Sequence, residues 1–309
     1  MQRKYKRALV TGGAGFIGSH LCEELVKAGL EVVVIDNLST GKRENVPDGV
    51  SLIVGDVLDA HLVDKIISQG VDIIFHEAAI VTIRGSVTNF YGDAMTNIMG
   101  TLNVLQAALK NNVKKLIYAS SMAVYSDNPQ CIPVSEDFNK RPISPYGLAK
   151  LTSENYLEMM STSNNIDIVC LRYFNTYGER QTITPYVGVI TIFVNKLLKN
   201  ETPVIFGDGN QARDFVYVKD IVQANVKAMW SDVHWGIYNV GTGVETSVND
   251  IASILSNKIN SGIIPMYEKE RAEELKYSVA DISSIKAQLG YIPQYDIGNS
   301  IDVVIRQYT

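Results

Sequence analysis

Cysteine is scarce in this sequence: Cys22, Cys131 and Cys170 are the only three in 309 residues, odd in number and widely scattered. That excludes a disulfide framework and any paired thiolate metal site, and it favours a reducing compartment. The four histidines, His20, His61, His76 and His234, make no ligand cluster in sequence. No apolar run approaches the ~18 residues of a membrane span. The "ALV" that follows the basic residues Arg3, Lys4, Lys6 and Arg7 is too short for a signal-peptide core. Nor does one sign of charge dominate: 28 Lys and Arg face 33 Asp and Glu, interspersed, for a net charge of −5. Such a balance argues against a nucleic-acid or membrane surface as partner. Repeats, low-complexity tracts and flexible linkers are missing as well. These absences leave a soluble, cytoplasmic chain.

What is abundant is apolar sequence, 46% of the chain, enough for one large or two intimate domains. "KRALVTGGAGFIGSHLCEELVKAGLEVVVIDN" reads as a buried strand, a glycine turn, an amphipathic helix and a second buried strand. "VSLIVGD", "VDIIFHEAA", "KKLIYASS" and "IDIVCLRYFN" continue the strands. "AHLVDKIISQG", the long "YGDAMTNIMGTLNVLQAALKNN" and the segment after Pro145 supply the helices between them. Continuous apolar strands alternating with helices predict an α/β fold, a doubly wound parallel sheet of Rossmann type. From about residue 176 the rhythm breaks into shorter segments. "YVGVITIFVNKLLKN" reads as a helix and "PVIFGDGNQARDFVYVKDIVQANVKAMW" as a hairpin-like stretch running into another helix; further helices are expected near 247–258 and 281–289. Residues 1–175 are expected to form the nucleotide-binding domain and 176–309 a smaller mixed α/β domain, with about 214–240 returning to the first.

The turn "TGGAGFIG" places Gly12, Gly15 and Gly18 between a strand and a helix. Glycines there let the backbone approach a pyrophosphate whose charge sits at the helix N-terminus. The second strand ends in Asp36, 18 residues beyond Gly18, where a carboxylate binds ribose hydroxyls and repels a 2′-phosphate. NAD is therefore expected over NADP, while Lys42 and Arg43 nearby keep a phosphate reading open. Asp56, after the third strand, either meets the adenine edge or caps a turn.

"SPYGLAK" sets Tyr146 one helical turn before Lys150. On one helix face an ammonium favours a neighbouring phenolate and lowers its pKa from about 10, which makes a usable base. Packing of the tyrosine beside a solvated lysine is the alternative.

With the glycine turn, Asp36, "HEAA", "SSMAVY", "YGLAK" and "RYFN" in this order, the chain resembles the extended short-chain dehydrogenase/reductase family. "FGDGNQARDFVYVKD" and "YNVGTG" extend the resemblance through the second half, and within the family it is most similar to the nucleotide-sugar 4-epimerases. The resemblance implies Tyr146 as catalytic base, Lys150 as the residue that binds the nicotinamide ribose and lowers the tyrosine pKa, and Ser121 as a partner of the sugar O4. It implies cofactor contacts from Gly12, Gly15, Phe16, Ile17, Gly18, Asp36, Asn37, Ser39, Thr40, Asp56, Val57, Ala78, Ala79, Asn97, Ser120, Tyr146, Lys150 and Tyr173. For a UDP-sugar substrate it implies Ser121, Tyr146, Asn175, Phe206, Arg213, Arg271 and Ser278, the arginines on the diphosphate and Ser278 as a gate for 2-acetamido sugars. A four-helix homodimer contact is implied between the long helix at 92–111 and the helix beginning at Tyr146.

The chain departs from the family pattern at Val81, where a lysine is common, at Ser126, and at Glu273 in "RAEE". The expected activity is C4 inversion of UDP-hexoses through a 4-keto intermediate. Dehydratases and decarboxylases of the family carry an acid just after the serine pair, where this chain has Met122 and Ala123. A 4-keto reductase needs exchangeable cofactor, and a non-catalytic NAD sensor would not need both Tyr146 and Lys150.

Overall fold

A computed structural model of the protein describes residues 4–127, 132–182, 188–260, 262–270 and 277–309. Cys131, Glu273 and Arg271 lie outside the described residues. Six strands come first: β1 (Arg7–Thr11), β2 (Glu31–Asp36), β3 (Ser51–Val54), β4 (Ile73–His76), β5 (Lys115–Ser121) and β6 (Asp167–Tyr173). Short ones follow, β7 (Asn175–Tyr177), β8 (Val204–Phe206), β9 (Ala212–Arg213) and β10 (Phe215–Tyr217), then β11 (Trp235–Val240). The main sheet has seven strands in the order β11-β6-β5-β4-β1-β2-β3. Every pair in it is parallel. The expected Rossmann-type sheet is therefore present.

Side chains alternate across this sheet, and both faces are apolar, which is why the strands read as continuous hydrophobic runs. Val10, Val34, Phe75, Ile117 and Leu171 pack under α1 (Phe16–Lys27). Leu9, Val33, Ile74, Leu116 and Cys170 face the opposite layer, built by α2 (Ala60–Ile67), α5 (Thr101–Lys110) and α6 (Pro145–Ser163), between which run the short α3 (Ile83–Thr88) and α4 (Phe90–Ala94). The helix α7 (Val189–Leu198) belongs to the smaller cluster, and α8 (Val218–Trp230) packs beside α1. Strand order reverses between β1 and β4, so their carboxyl ends bound the crevice where this class of sheet binds ligands.

The smaller cluster uses β12 (Thr246–Ser247), β13 (Met266–Glu268), β14 (Tyr277–Ser278), α9 (Val248–Ile259), α10 (Ser283–Leu289) and α11 (Ile297–Tyr308). Phe193, Val194, Ile205, Ile251, Leu255, Ile301 and Val304 make its core. Three local expectations change. The segment 203–217 is not a hairpin: β8 pairs in parallel with β13, and β9 lies between β12 and β14. Asn249 donates to the Asp208 carbonyl (3.0 Å) at the turn, and β8 and β9 leave it into different sheets. The long helix is interrupted: α4 passes through a π-helical segment, Met95–Gly100, before α5. Thr101 Oγ1 (2.8 Å) and Ser153 Oγ (2.9 Å) both donate to the Asn97 carbonyl within it. Helix α11 was not foreseen, although Asp296 caps it through Asn299 N and Ile297, Ile301 and Val304 recur at helical spacing.

Candidate active site

The crevice begins with the glycine turn. Gly12 has φ +70°, and a Cβ there would stand 2.8 Å from Ala78 N, so β1 and the end of β4 close on each other only around a glycine. A Cβ on Gly18 would fall 2.3 Å from Gly12 O. Helix α1 starts at Gly15 with neither a side-chain cap nor an acid in its first turn. Its first amides, those of Phe16, Ile17 and Gly18, thus form an open anion site with the helix dipole behind them. Asp36, buried at the end of β2, accepts from Ala14 N (3.0 Å) and Leu38 N (2.8 Å), which pins its carboxylate against the turn. Asn37 donates to Asp56 Oδ2 (2.8 Å) and accepts from Ser39 N (3.0 Å), and Asp56 also accepts from Leu58 N (2.9 Å). Asp56 therefore caps a turn. Ser39 and Thr40 are exposed on the rim, Ala78 and Ala79 are half-buried beside Gly12, and Val57 is buried against Gly100.

The second half of the crevice is the end of β5 with α6. Ser144 caps α6 through Gly147 N, and Pro145 takes its first position, so Tyr146 and Lys150 point from one face toward Ser121. The Tyr146 phenol faces the Ser121 side chain, which favours its ionised form. Lys150 donates to Ala119 O (2.7 Å), with its ammonium 4.8 Å from the Tyr118 ring centroid and 6.0 Å from that of Tyr146. Burial holds the Lys150 ammonium down at about 8. The Tyr146 phenol is not lowered as expected. Burial pushes it up to about 12; Ser121 lowers it, and Asp93 and Glu77 raise it further.

Two of the expected cofactor contacts are engaged by the protein itself. The Asn97 amide accepts from Ile80 N and donates to Ile80 O and to Asp93 Oδ1, each at 3.0 Å, so it fastens the loop after β4. Ser120 Oγ donates to Glu154 Oε1 (2.5 Å), away from the crevice. Glu154 in turn pairs with Arg172, whose Nη1 donates to Tyr125 Oη (2.8 Å) and Glu136 O (3.0 Å). Sequence reasoning missed Glu154 and Arg172. Their only signal was one charged residue facing a helix interior and one inside an apolar strand. Glu77, in "HEAA", accepts from Tyr173 Oη at its Oε1 (2.8 Å).

A profile of the NAD dependent epimerase/dehydratase family matches residues 8–241. The chain belongs to that family. Its cofactor is NAD, and the uncapped α1 terminus, the Gly12 approach and the Asp36 carboxylate fit that dinucleotide. This epimerase/dehydratase-family chain is 38% identical to the UDP-N-acetylglucosamine 4-epimerase of Methanobrevibacter ruminantium, solved with UDP-N-acetylmuramic acid (TM-score 0.94, 99% of both chains). It is 36% identical to the UDP-glucose 4-epimerase of Thermotoga maritima, solved with UDP-glucose (TM-score 0.94, 98% of both chains). It is also 35% identical over 303 residues to a UDP-N-acetyl-alpha-D-glucosaminuronate decarboxylase of Bacillus cytotoxicus, covering 93% of each.

Of the expected substrate residues, Asn175, Phe206, Arg213 and Ser278 stand on the short strands β7, β8, β9 and β14. Asn175 Nδ2 is buried and has no partner, and the same holds for Ser278 Oγ. Ser278 is the register partner of Arg213 in the parallel pair β14–β9, so the two side chains leave the same face. Phe206 ends β8, half-buried. Among the described residues no group of His, Cys, Asp and Glu could hold a metal ion. No helix of the described residues is long and apolar enough to cross a membrane.

Proposed function

We propose that the chain is a UDP-sugar 4-epimerase, acting on UDP-glucose and UDP-galactose and also on UDP-GlcNAc and UDP-GalNAc. The observation that carries this reading is Tyr146 on α6 facing Ser121, with the buried Lys150 ammonium 6.0 Å from its ring and no carboxylate after Ser121. That position holds Met122 and buried Ala123, which disfavours the elimination and decarboxylation chemistry of other members. When bound, NAD supplies a hydride acceptor and a positive charge beside the phenol. Ser121 and Tyr146 hold the sugar O4, and Tyr146, as the phenolate that Lys150 and the positive charge of the bound cofactor would stabilise, takes the O4 proton and becomes the neutral phenol. Asn175 and Arg213 hold the diphosphate, a guanidinium fork suiting it well. With the nucleotide held through its diphosphate and the sugar only by hydrogen bonds at O4, the 4-keto sugar can turn, so the same residues return the proton with C4 inverted. Arg271 is proposed for the same anion. Net redox change is zero, so NAD is retained.

Substrate width follows from Ser278. A small residue there leaves space where a tyrosine would exclude a 2-acetamido group. Ser278→Tyr should cut kcat/KM for UDP-GlcNAc roughly ten- to a hundred-fold, because overpacking costs ~1–3 kcal/mol. UDP-glucose turnover should stay within a fewfold. The measurement is product analysis with both sugar pairs, wild type against variant. Wild-type protein that inverts neither pair sinks the function; an equal loss on both pairs sinks the gate.

The proposed homodimer rests on a further feature. Phe90 (65% exposed) and Tyr91 (72%) on α4, and Leu148 (57%) and Met159 (60%) on α6, are exposed apolar side chains on two helices that pack against each other. Large apolar groups clustered on adjoining helices suit a second copy of the chain. Sedimentation should give twice the chain mass, and Leu148→Glu with Met159→Glu should give the monomer. The free, buried Cys22 and Cys170 accord with a cytoplasmic location.

A further inference from the structure

Glu77 is a carboxylate with no place in the chemistry above. It follows His76 at the end of β4, and its amide donates to Thr11 O on β1 (3.1 Å). His76 is the register partner of Tyr118 on β5, so the next residue along β5 is Ala119, whose carbonyl holds the Lys150 ammonium at 2.7 Å. About one strand spacing, ~5 Å, therefore separates the backbone of Glu77 from the anchor of Lys150. The Glu77 side chain is half-buried and is held from the opposite direction. Tyr173 Oη donates to its Oε1 (2.8 Å), and Asn225 Nδ2 donates to the Tyr173 oxygen (2.7 Å). Tyr173 is in turn the register partner of Ser121, the residue that Tyr146 faces. The Glu77 side chain is thus fixed to the end of β6, next to the end of β5 where Ala119 anchors Lys150, whose ammonium lies 6.0 Å from the Tyr146 ring.

We propose that Glu77, tethered by Tyr173, is a positioning residue whose negative charge holds the proton on Tyr146 and the charge on Lys150 between turnovers. The inference rests on the proton-transfer role given to Tyr146 above. A carboxylate fixed one strand away from the Lys150 anchor disfavours a second anion and favours a cation. Glu77 does both, raising Tyr146 and raising Lys150 against the lowering that burial imposes. Burial lifts Glu77 itself to about 7, with Tyr173 and Lys150 pulling it down, so its charge changes in the working range. The groups facing it are Tyr173 from β6, Lys150 and Tyr146 from α6, and Cys22 from α1, whose thiol burial keeps protonated. Asp93, from α4, raises Tyr146 in the same sense, but its Oδ1 is engaged by Asn97. The arrangement keeps the phenol protonated until substrate and cofactor outweigh the carboxylate.

The test uses holoprotein labelled with [ζ-¹³C]tyrosine, the Tyr146 signal being assigned by its loss in Tyr146→Phe. Glu77→Gln keeps an acceptor for Tyr173 and removes the charge. It should lower the proton affinity of Tyr146 by about 3- to 10-fold. The acid limb of the kcat/KM profile should move to lower pH by the same factor, a change that a packing role would not produce. If the variant does not fold, the unmutated protein serves: its Tyr146 signal should show a second, smaller inflection where Glu77 ionises. An unmoved Tyr146 titration in a folded Glu77→Gln, or a single inflection in the unmutated protein, overturns the proposal. Because the titration needs no turnover, a moved Tyr146 in a protein that inverts no sugar would sink the epimerase reading and leave Glu77's role standing.

Discussion

Tyr146→Phe should lower kcat for C4 inversion by about 10²–10⁴-fold, the usual cost of losing a general base. The ring is 5% exposed and packs at the start of α6, so a phenyl group keeps the packing. What is lost is the phenol oxygen that faces Ser121. Cofactor should stay bound, because the cradle of Gly12, α1 and Asp36 lies on the other side of the crevice. The check is kcat from product formation together with the NAD released on denaturation. A variant that inverts C4 within a fewfold of wild type would remove Tyr146 from its role.

Arg172→Met should cost about 3–5 kcal/mol of stability, the penalty for leaving one member of a buried ion pair behind. Arg172 and Glu154 are 1% exposed, joined by Nε to Oε1 (2.9 Å) and Nη2 to Oε2 (2.7 Å). Without the guanidinium, the Glu154 carboxylate retains only the Ser120 hydroxyl and must take up a proton in the folded state. Its folded pKa then lies above its unfolded one. A carboxyl so raised gives its stabilising contribution below the unfolded pKa and loses it as pH rises through the folded pKa. The deficit should therefore be larger at pH 8 than at pH 5. Adding Glu154→Leu should recover most of the loss, since an apolar pair of similar volume is often no worse than a buried ion pair. Thermal midpoints of the two variants at both pH values decide it. A single variant as stable as wild type would show that the pair carries no such energy.

Much of this protein is legible along the chain because the features involved are local. The glycine turn, Asp36 and the Tyr146–Lys150 spacing each depend on one strand end or one helical turn, whose geometry follows from residue type and interval. The parallel sheet is legible too, since strands covered on both faces must be apolar throughout. Pairing partners are another matter. That β8 joins β13 rather than folding back on β9 is settled by contacts some sixty residues away, which no periodicity reports. The same holds for single groups. Asn97, expected at the cofactor, bonds to Ile80; Ser120, expected at the nicotinamide, bonds to Glu154; and the ammonium of Lys150 goes to a carbonyl while burial raises the phenol beside it. Sequence alone set which residues stand at the crevice, because strand ends and helix starts are local events. Tertiary structure alone decided which partner each polar atom takes and how its proton is held, because both depend on dehydration and on charges brought together from distant segments.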